Sequence, residues 1–468
     1  MRHPGLQAVN LISDPIHGYI ELTKRLDRQP TAGLGLPPEE SAEDDLLDTA
    51  WLQRLRRISQ LQSARWVFPT AEHSRFTHGL GVMHEAGLWG RHLYPSLRSA
   101  LETVEPGGRP PSEGLVVETL RMAGLLHDVG HGPFAHFFDE HLLSDFRAPA
   151  DPRRPAGKRL THEDLGQLII VRELGGLIGG LRRAPGPVPE RDAFAPGEAI
   201  DPRWVSFLIA KPALADPAMP RWLRWLQPLF SGVFTVDNLD YVRRDAYMTG
   251  VAVGPVDVER LRRYSFVSER GLTLYEPGLG ALEMFLTARL FMYRTVYLHR
   301  TVRAIDLDLA EVFRPSIRAI FGAASPADLL DAYADLDEYT LLHQAARWAR
   351  GEAISDDARP GDGRVRAEVG DGWRHILLRH PRWRAEAELR LEYEPGGRPE
   401  AAIAGLGVPE PGRVAIDLAE VDARPPDATA TDLLLAVAGR DGRPAAPLSE
   451  SLARLPAFAL IARRYRRS

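Results

Sequence analysis

The chain has 468 residues, of which 44% are apolar and 26% charged, with a formal net charge of −5 at pH 7 and no cysteine. This length favours one large domain with a smaller one beside it, and the composition is that of a globular protein. Without cysteine, disulfides, thiolate nucleophiles and Cys-ligated metal sites are excluded, so any metal must be held by His, Asp or Glu.

The N-terminal residues contain no long apolar segment, and no run of about 18 apolar residues occurs later, so we expect a cytoplasmic protein that does not span a membrane. The net charge creates no overall field that attracts nucleic acid. Single-stranded nucleic acid is therefore a possible partner for which the sequence gives no support. A local basic cluster near the C-terminus is the exception, and its simpler alternative is a solvated tail. The cluster consists of Arg463, Arg464, Arg466 and Arg467.

The predicted elements begin with a short β-hairpin or extended arm over residues 10–23, where spaced Ile and Leu surround an Asp-Pro pair and a Gly. Residues 29–44, rich in Pro, Gly and acidic residues, are predicted to be a loop. From residue 46 to about 320 apolar residues recur every three or four positions, which predicts helices, and Asp48 is placed to begin one. Pro- and Gly-rich breaks that separate these helices lie near 104–113, 147–157 and 184–201.

After residue 365 short apolar segments alternate with turn-forming residues, which is typical of an α+β arrangement. The predicted fold class is therefore mainly α, with a helical core, a short N-terminal β-hairpin and a smaller α+β C-terminal domain. The predicted divisions are a hairpin and loop at 1–45, a large helical domain at 46–320, a helical connector at 321–365 and the C-terminal domain at 366–468.

A His-Asp pair, His127-Asp128, follows an apolar helical pattern that runs from Glu118 through Leu126 and is predicted to stop at Gly130. Burying an imidazole beside a carboxylate costs free energy unless each has a partner, and one shared cation would supply it. A hydrogen-bonded His–Asp pair in a core is the alternative.

A second polar group opens another helix, which Ser74 is placed to cap. Arg75 and His78, three positions apart, share one face of it and combine a fixed cation with a metal-binding nitrogen.

A third group lies on one predicted helix, where Asp237, Tyr241 and Asp245 stack at four-residue intervals, flanked by Asp240 and Arg244. This face is too polar for a simple core, and a solvated, salt-bridged face is its alternative.

A fourth pattern places arginines and tyrosines on one face of an otherwise apolar helix, at Arg289, Tyr293, Tyr297 and Arg300. Such a stripe suits a phosphorylated ligand with a sugar or planar group, whereas core packing is the simpler interpretation of each aromatic residue alone.

Taken together, the order His78, His127-Asp128, Asp237 resembles the HD superfamily, most closely the bacterial type of its SAM-and-HD-domain deoxynucleoside triphosphate triphosphohydrolase branch. The resemblance covers about two thirds of the chain, from Ser13 to Glu311. Its motifs are Asp14-Pro-Ile-His17-Gly18-Tyr-Ile-Glu21-Leu22, Gln53-Arg54-Leu55-Arg56, Val67-Phe68-Pro69, Arg75 to His78, His127 to His136, Thr161-His162-Glu163 and Asp240-Tyr241.

The resemblance implies that residues 46–320 form an HD phosphohydrolase domain that binds one divalent metal ion, Mn, Mg or Fe, with Zn or Ni as alternatives. The implied metal ligands are His78, His127, Asp128 and Asp237. Metal-activated water would attack the α-phosphorus of a dNTP and release deoxynucleoside and triphosphate. His136 matches the residue that protonates the departing 5′-oxygen, and His131 and His162 match neighbours that contact phosphate.

Arg75 and Arg289 match phosphate-clamping arginines, and the residues that match the sugar-binding set are Gln60, Tyr241, Asp245 and Tyr297. The resemblance implies that Gln60 and Asp245 hydrogen-bond the 3′-hydroxyl of the sugar. It also implies that Tyr297 disfavours ribonucleotides by crowding the 2′ carbon. One departure from the pattern is Asn238, where several relatives carry Lys, so that one phosphate contact is lost or taken over by another group.

Asp48, Gln53 and Arg56 match positions at which some relatives bind an activating nucleotide between subunits, and their simpler role is to cap and bridge a helix. The resemblance also implies a homotetramer or dimer. Two other functions stay open: an HD-type phosphodiesterase, nuclease or nucleoside-monophosphate phosphatase, and a non-catalytic nucleotide sensor or scaffold. The complete ligand set and His136 disfavour the sensor, and the lack of a Gly-Tyr-Pro sequence after the HD pair disfavours the cyclic-dinucleotide branch.

Overall fold

The computed structural model describes residues 9–24, 41–150, 157–186, 188–210, 216–394, 397, 400–422, 434–436, 444–445 and 458–468. The fold is mainly α with small sheets, as predicted. Its helices are α1 (Glu43–Leu47), α2 (Ala50–Arg54), α3 (Arg75–Val104), α4 (Glu113–Leu126), α5 (His136–His141), α6 (His162–Arg172), α7 (Gly175–Gly180), α8 (Pro189–Asp192), α9 (Pro202–Ile209), α10 (Arg221–Leu226), α11 (Pro228–Ser231), α12 (Val236–Thr249), α13 (Val258–Arg263), α14 (Leu279–Met292), α15 (Arg300–Phe321), α16 (Leu330–Ala334), α17 (Glu338–Ala349), α18 (Ala367–Leu377) and α19 (Glu400–Ala404).

The strands form three small sheets. They are β1 (Val9–Asp14), β2 (Gly18–Thr23), β3 (Ser265–Ser268), β4 (Gly271–Tyr275), β5 (Trp383–Tyr393), β6 (Val414–Asp422), β7 (Leu434–Ala436), β8 (Pro444–Ala445) and β9 (Phe458–Arg467). The predicted N-terminal hairpin is confirmed, because β1 and β2 pair antiparallel from Val9 opposite Thr23 to Asp14 opposite Gly18. Of the predicted loop at 29–44, residues 29–40 lie outside the described residues, and α1 already begins at Glu43.

One continuous hydrophobic core joins the hairpin to the helices and extends from Ile20 to Ile376 of α18. The three-stranded antiparallel sheet β5–β9–β6 follows α18 and packs around smaller apolar clusters, one of which contains Leu406 and Leu460. In the second sheet, β7 pairs parallel to β4, so the C-terminal part of the chain also returns to the helical part. Among the described residues, no helix combines the length and apolarity needed to cross a membrane.

The predicted start of a helix at Asp48 is wrong. Asp48 closes the end of α1, and Thr49 occupies the N-cap position of α2, where its hydroxyl accepts a hydrogen bond from the Leu52 amide at 3.4 Å. Both residue types cap helices well, but a cap needs an extended backbone, and only Thr49 has one, with ψ 151° against 0° for Asp48.

The helix before the His-Asp pair also ends earlier than predicted. It stops at Leu126, and His127 is its C-cap residue, so Gly130 does not terminate it. A glycine is required at 130 for another reason: a Cβ there would lie 2.0 Å from the carbonyl oxygen of His162 and 2.5 Å from the amide nitrogen of Gly166. The close approach packs the turn after the His-Asp pair against α6.

The basic cluster at the C-terminus is neither free nor a solvated tail, so that interpretation is wrong. Its residues lie in β9, the central strand of the three-stranded sheet, and Arg463 is buried. Each arginine has a carboxylate partner because the flanking strand and α15 present glutamates at matching positions. The pairs are Arg463 with Glu388, Arg464 and Arg466 with Glu386, and Arg467 with Glu311.

Glu118 of α4 is a fully buried carboxylate next to Glu43 and Arg121. The Arg121 Nε lies 2.7 Å from a Glu43 oxygen and 3.6 Å from a Glu118 oxygen, so one cation serves two carboxylates. Burial and the neighbouring Glu43 raise the pKa of Glu118 well above 4.5, against the lowering effect of Arg121. The folded chain therefore holds a proton that the unfolded chain releases, and folding becomes less favourable as pH rises between these two pKa values.

Glu118→Gln is accordingly expected to raise the melting temperature, because the amide is neutral at every pH and can donate to Glu43. The gain should be larger at pH 8 than at pH 5, reaching about 2 °C or more at pH 8. Melting curves of the variant and the wild type at both pH values test this. An equal gain at pH 5 and pH 8 would show that the Glu118 proton is not involved.

Candidate active site

The candidate metal ligands come from three helices and meet at one point. His78 lies in the first turn of α3, His127-Asp128 follow α4, and Asp237 lies in the first turn of α12. The His78 Nε2 is 3.2 Å from the His127 Nε2 and 3.2 Å from an Asp237 oxygen, and the His127 Nε2 is 3.3 Å from an Asp128 oxygen. Ligand atoms bound at about 2.0–2.2 Å to one ion lie roughly 3.0–3.6 Å apart. His78, His127 and Asp128 form a group that could hold a divalent cation, and Asp237 approaches both histidines from α12.

Hydrogen bonds orient both histidines for this role. The His127 Nδ1 donates to the carbonyl oxygen of Gly124 at 2.8 Å, and the His78 Nδ1 lies 2.9 Å from a carboxylate oxygen of Asp240. In each ring the Nε2 atom is therefore left as the acceptor that turns toward the cluster.

Asp240 was predicted only to flank the stripe on α12, and its structural role was missed. It is fully buried and receives hydrogen bonds from Arg244 and from His17 of the hairpin turn, as well as from His78. Gly81 makes room for it, since a Cβ at that position would lie 2.1 Å from the Asp240 carboxylate. The solvated alternative for this part of the helix face is thus wrong.

Charge within the cluster favours metal ligation. Burial alone would raise the pKa of Asp128, but Arg75, His127 and His131 outweigh it and hold this pKa well below its usual value. The Arg75 guanidinium lies 2.5 Å from the Asp128 carboxylate. For His78, burial lowers the pKa, but hydrogen bonds with Asp237 and Asp240 outweigh it and raise the pKa to about 10, which indicates a site built for a positive charge.

A second group of imidazoles adjoins the ligands. The rings of His131 and His162 stack with centroids 3.6 Å apart, and the His136 ring lies 4.8 Å from His131 and 5.2 Å from His162. Burial, with Arg75 and His162 nearby, lowers the pKa of His131 well below its usual value. Although burial also lowers the pKa of His162, Asp139 and Glu163 raise it overall, so His162 holds a proton more readily than its stacked partner His131.

His136 differs from its neighbours because 66% of its side chain is exposed, and it lines the cavity that contains the ligands. Two residues with positive φ, Phe134 at 60° and Ala135 at 47°, precede it and turn the chain into α5. Non-glycine residues in this region carry strain, which packing must offset, and Phe134 packs against Trp66 and Phe313. Gly132 and Pro133 come directly before this turn, but its positive φ values fall on Phe134 and Ala135, two residue types that do not predict them.

A cavity of about 250 Å³ extends from the metal ligands along α12 and the segment after α14. Asp245 lies on its wall and is held by the His73 Nε2 at 2.8 Å and the Tyr297 hydroxyl at 2.6 Å. Gln60 also lines the cavity, and its buried Oε1 accepts no hydrogen bond from the residues that the structure describes. The sugar-binding candidates therefore share one wall, on which the Gln60 Oε1 is available to accept a hydrogen bond from a ligand. His73 supports this wall and was not predicted from the sequence.

Comparison with protein families gives two matches along the chain. The HD domain model matches residues 75–178, and the model of the HD associated region matches residues 256–353. The chain therefore contains an HD domain, the domain of the HD superfamily of metal-dependent phosphohydrolases. The first match contains three of the four candidate ligands of this HD protein, and Asp237 lies between the two matched regions.

Several relatives align with most of the chain. It is 28% identical over 366 residues to the protein YwfO of Bacillus subtilis, covering 75% of this chain and 69% of YwfO. Deoxynucleoside triphosphate triphosphohydrolase SAMHD1 is 27% identical in Bos taurus, with 71% of this chain and 52% of that protein aligned, and 26% identical in Homo sapiens, with 72% and 50% aligned. The chain thus spans about half the length of these SAMHD1 relatives.

Solved structures show the same fold. A hypothetical protein from Aquifex aeolicus superposes with a TM-score of 0.65 at 24% identity, covering 98% of this chain and 96% of that one. A phosphohydrolase from Bacteroides thetaiotaomicron superposes with a TM-score of 0.63 at 20% identity, covering 98% and 100%.

In this HD protein the predicted stripe from Arg289 to Arg300 is not one helix face. The α-helix α14 ends at Met292, residues 293–297 form a π-helical turn, and Arg300 begins the separate helix α15. The wider turn places Tyr293 and Tyr297 on the cavity wall with Tyr241. Arg289 is not among the wall residues and lies behind them, with its guanidinium 5.7 Å from the Tyr293 ring centre.

Asn238, the departure from the family pattern, has a structural role at the start of α12. Its side chain accepts a hydrogen bond from the Thr235 amide at 2.8 Å, and its own amide donates to the Thr235 hydroxyl at 3.1 Å. This reciprocal capping box ties the Asn238 side chain to the helix end, one residue after Asp237.

Asp240→Asn is expected to weaken metal binding about 10- to 100-fold, because Asp240 orients the metal ligand His78. Metal titration with a competing chelator measures this effect. His17→Gln is the matched control: His17 contacts Asp240 at 2.7 Å but no metal ligand, and this variant should bind metal within about threefold of the wild type. Equal metal affinity in Asp240→Asn and the wild type would rule out the orienting role.

Proposed function

We propose that this HD protein hydrolyses deoxynucleoside triphosphates to deoxynucleoside and triphosphate, with Mn or Mg as the metal. The observation that carries the proposal is one cavity, which joins three of the candidate ligands (His78, Asp128 and Asp237), the phosphate-side residues Arg75 and His162, and a wall suited to a sugar. The likeness to relatives named deoxynucleoside triphosphate triphosphohydrolases supports this choice of substrate.

When bound, the divalent ion would lower the pKa of an attacking water and neutralise charge on the attacked phosphate. Arg75 is already anchored to Asp128, and its buried Nε has no partner among the described residues, so it can donate to a phosphate oxygen. His162, whose pKa is raised, stacks on His131, whose pKa is lowered, so His162 is the ring of this pair that more readily holds a proton beside a phosphate. Arg289 would act through Tyr241 and Tyr293, because these rings stand between it and the cavity.

His136 would donate a proton to the departing 5′-oxygen, and its position at the border between the histidine cluster and the open cavity supports this role. Its Nδ1 is 3.9 Å from an Asp139 oxygen, and that carboxylate also binds His162. The imidazole therefore has a carboxylate behind it and open space in front of it, which is the arrangement that general acid catalysis needs.

The sugar would be recognised on the Gln60 and Asp245 wall. The unpaired Gln60 Oε1 can accept from a 3′-hydroxyl, and Asp245 is held in place by two donors. The hydrogen bond between Tyr297 and Asp245 also fixes the tyrosine ring beside the sugar, where it would leave no room for a 2′-hydroxyl. A buried acceptor without a partner penalises ligands that lack the 3′-hydroxyl.

A nucleotide activator and a homo-oligomer belong to the same proposal. Asp48 is exposed, whereas the Gln53 amide donates to the Leu47 carbonyl and accepts from Arg56, which lies over the Phe76 ring. These contacts fit the simpler role of capping and bridging a helix. To bind here, a nucleotide would have to replace the hydrogen bond between Gln53 and Arg56. Light scattering with and without added dNTP tests whether nucleotide changes the oligomeric state.

The reaction is tested by incubating the protein and Mn²⁺ or Mg²⁺ with each dNTP, NTP, dNMP and single-stranded DNA. We expect triphosphate and deoxynucleoside from dNTPs and at least about tenfold slower turnover of NTPs. Orthophosphate from dNMPs would indicate a monophosphatase, and nucleotides released from DNA would indicate a nuclease. Nucleotide binding without any turnover would indicate a sensor.

A further inference from the structure

One polar wall of the cavity has no part in the proposed reaction. It is formed by Ser63, Arg303 and Asp306, which line the same cavity as the candidate metal ligands. The phosphate side of that cavity already has Arg75 and the histidine cluster, and the sugar side has the wall that contains Gln60. The nucleobase is the part of the proposed substrate that neither of these two sides contacts, so it would face the remaining wall.

This wall is held in place by the C-terminal sheet. Asp417 of β6, itself buried, binds the Arg303 guanidinium through two bonds, from Nε at 3.0 Å and from Nη2 at 2.6 Å. The Arg303 Nη1 lies 3.1 Å from an Asp306 oxygen. A guanidinium has five N–H donors, and these bonds use three of them, so one on each terminal nitrogen remains for a ligand. A bidentate anchor of this kind fixes the plane of the guanidinium.

Asp306 is the acceptor in the same wall. One of its oxygens accepts from the Ser63 hydroxyl and the other from Arg303, and each oxygen keeps a second lone pair. Burial raises the pKa of Asp306 to about 6, although Arg303 and Ser63 lower it, so the carboxyl is mainly ionised at pH 8. A ligand at this wall would therefore meet donors and an acceptor side by side, both fixed by protein contacts.

We propose that Arg303 and Asp306 form a nucleobase subsite that selects guanine, which rests on the proposed dNTP hydrolysis. Guanine presents the acceptors O6 and N7 beside the donors N1–H and N2–H₂. Arg303 donates to O6 while Asp306 accepts from N1–H or N2–H₂.

The other bases match this wall less well. Adenine has an amino group where guanine has O6, so its donor would face the donors of Arg303, and its N1 carries no hydrogen for Asp306. Thymine has the same pair, O4 beside N3–H, but on a single ring, so from the same sugar position this edge lies further from the wall. Cytosine has an amino group in place of O4 and no hydrogen on N3, so it mismatches both groups. A mismatched base leaves a buried polar group unpaired, which is what makes such a contact selective.

The test compares kcat/KM for triphosphate release from the four dNTPs at pH 8 in the wild type, Asp306→Asn, Arg303→Lys and the control Asp371→Asn. Asp371 is an exposed carboxylate on α18, with 56% of its side chain accessible. We expect the wild type and the control to prefer dGTP by about tenfold or more. Asp306→Asn puts a donor opposite the guanine donors, and Arg303→Lys loses the planar fork, so each should bring the preference below about threefold.

A second readout does not depend on turnover. Deoxyguanosine at millimolar concentration should raise the melting temperature more than the other deoxynucleosides, and Asp306→Asn should lose this difference. Release of triphosphate at similar rates from all four dNTPs, or a dGTP preference unchanged in both variants, would overturn the guanine subsite while leaving dNTP hydrolysis standing. If no dNTP yields triphosphate, the proposed function fails, and the thermal shifts then decide about the subsite by themselves. Equal shifts with all deoxynucleosides would overturn the guanine subsite. A shift that is specific for deoxyguanosine and is lost in Asp306→Asn would support the guanine subsite.

Discussion

Asp237→Ala is expected to remove the bound metal and the turnover together. The Asp237 oxygen lies 3.2 Å from the His78 Nε2 and 3.6 Å from the His127 Nε2, so it closes the ligand set from the side of α12. Without it, the remaining ligands all come from α3 and the end of α4, and the ion loses one of its two carboxylates. A metal site that keeps three of four protein ligands binds far more weakly, and the attacking water loses its activation.

The measurement is elemental analysis of the purified variant beside its dNTP turnover, with metal expected below about one tenth of an ion per chain. Asp371→Ala, an exposed carboxylate far along the chain, is the matched control and should keep both metal and rate. Because 20% of the Asp237 side chain is exposed, the variant should still fold, which a melting curve verifies. Full metal content and full activity in Asp237→Ala would show that this residue is not a ligand.

His136→Ala should lower kcat about 10²- to 10⁴-fold while leaving metal content and nucleotide binding unchanged. The reason is that His136 lines the cavity next to the ligands without belonging to them, so only the proton for the leaving oxygen is lost. Its side chain is 66% exposed, and removing it should hardly change stability.

The matched control is His343→Ala, an exposed histidine on α17 that is remote from the cavity residues in sequence. Metal analysis, dNTP binding and single-turnover rates of both variants separate chemistry from binding. If His136→Ala turns over at the wild-type rate, the proton comes from another group, and His131 and His162 would be the next residues to test.

Much of the helical fold could be predicted because its cause is local. Apolar residues such as Leu120, Ala123 and Leu126 of α4 recur at helical spacing, and all three are buried in the main core. The breaks were less predictable where two residues compete for one role, as at Asp48 and Thr49. The C-terminal arginines could not be placed from the sequence because their partners, such as Glu388, lie about 75 residues away in the chain and meet them only through strand pairing.

The sequence alone indicated which side chains could bind a metal, because the order His78, His127-Asp128, Asp237 matches a family pattern. Only the tertiary structure decided how these residues are supported. Asp240 turns His78 toward the cluster, His73 holds Asp245, and Asp417 anchors Arg303, and each of these pairs joins residues more than 100 positions apart in the chain.

The physical reason is that ligand identity depends on side-chain chemistry, which a sequence states directly, whereas ligand orientation depends on hydrogen bonds between distant elements. Such bonds exist only after packing has brought α3, α12, α15 and the C-terminal sheet together. The family and its candidate ligands were therefore accessible from the amino-acid sequence of this chain. The buried carboxylates that orient the ligands, and the wall offered to a nucleobase, were accessible only from its fold.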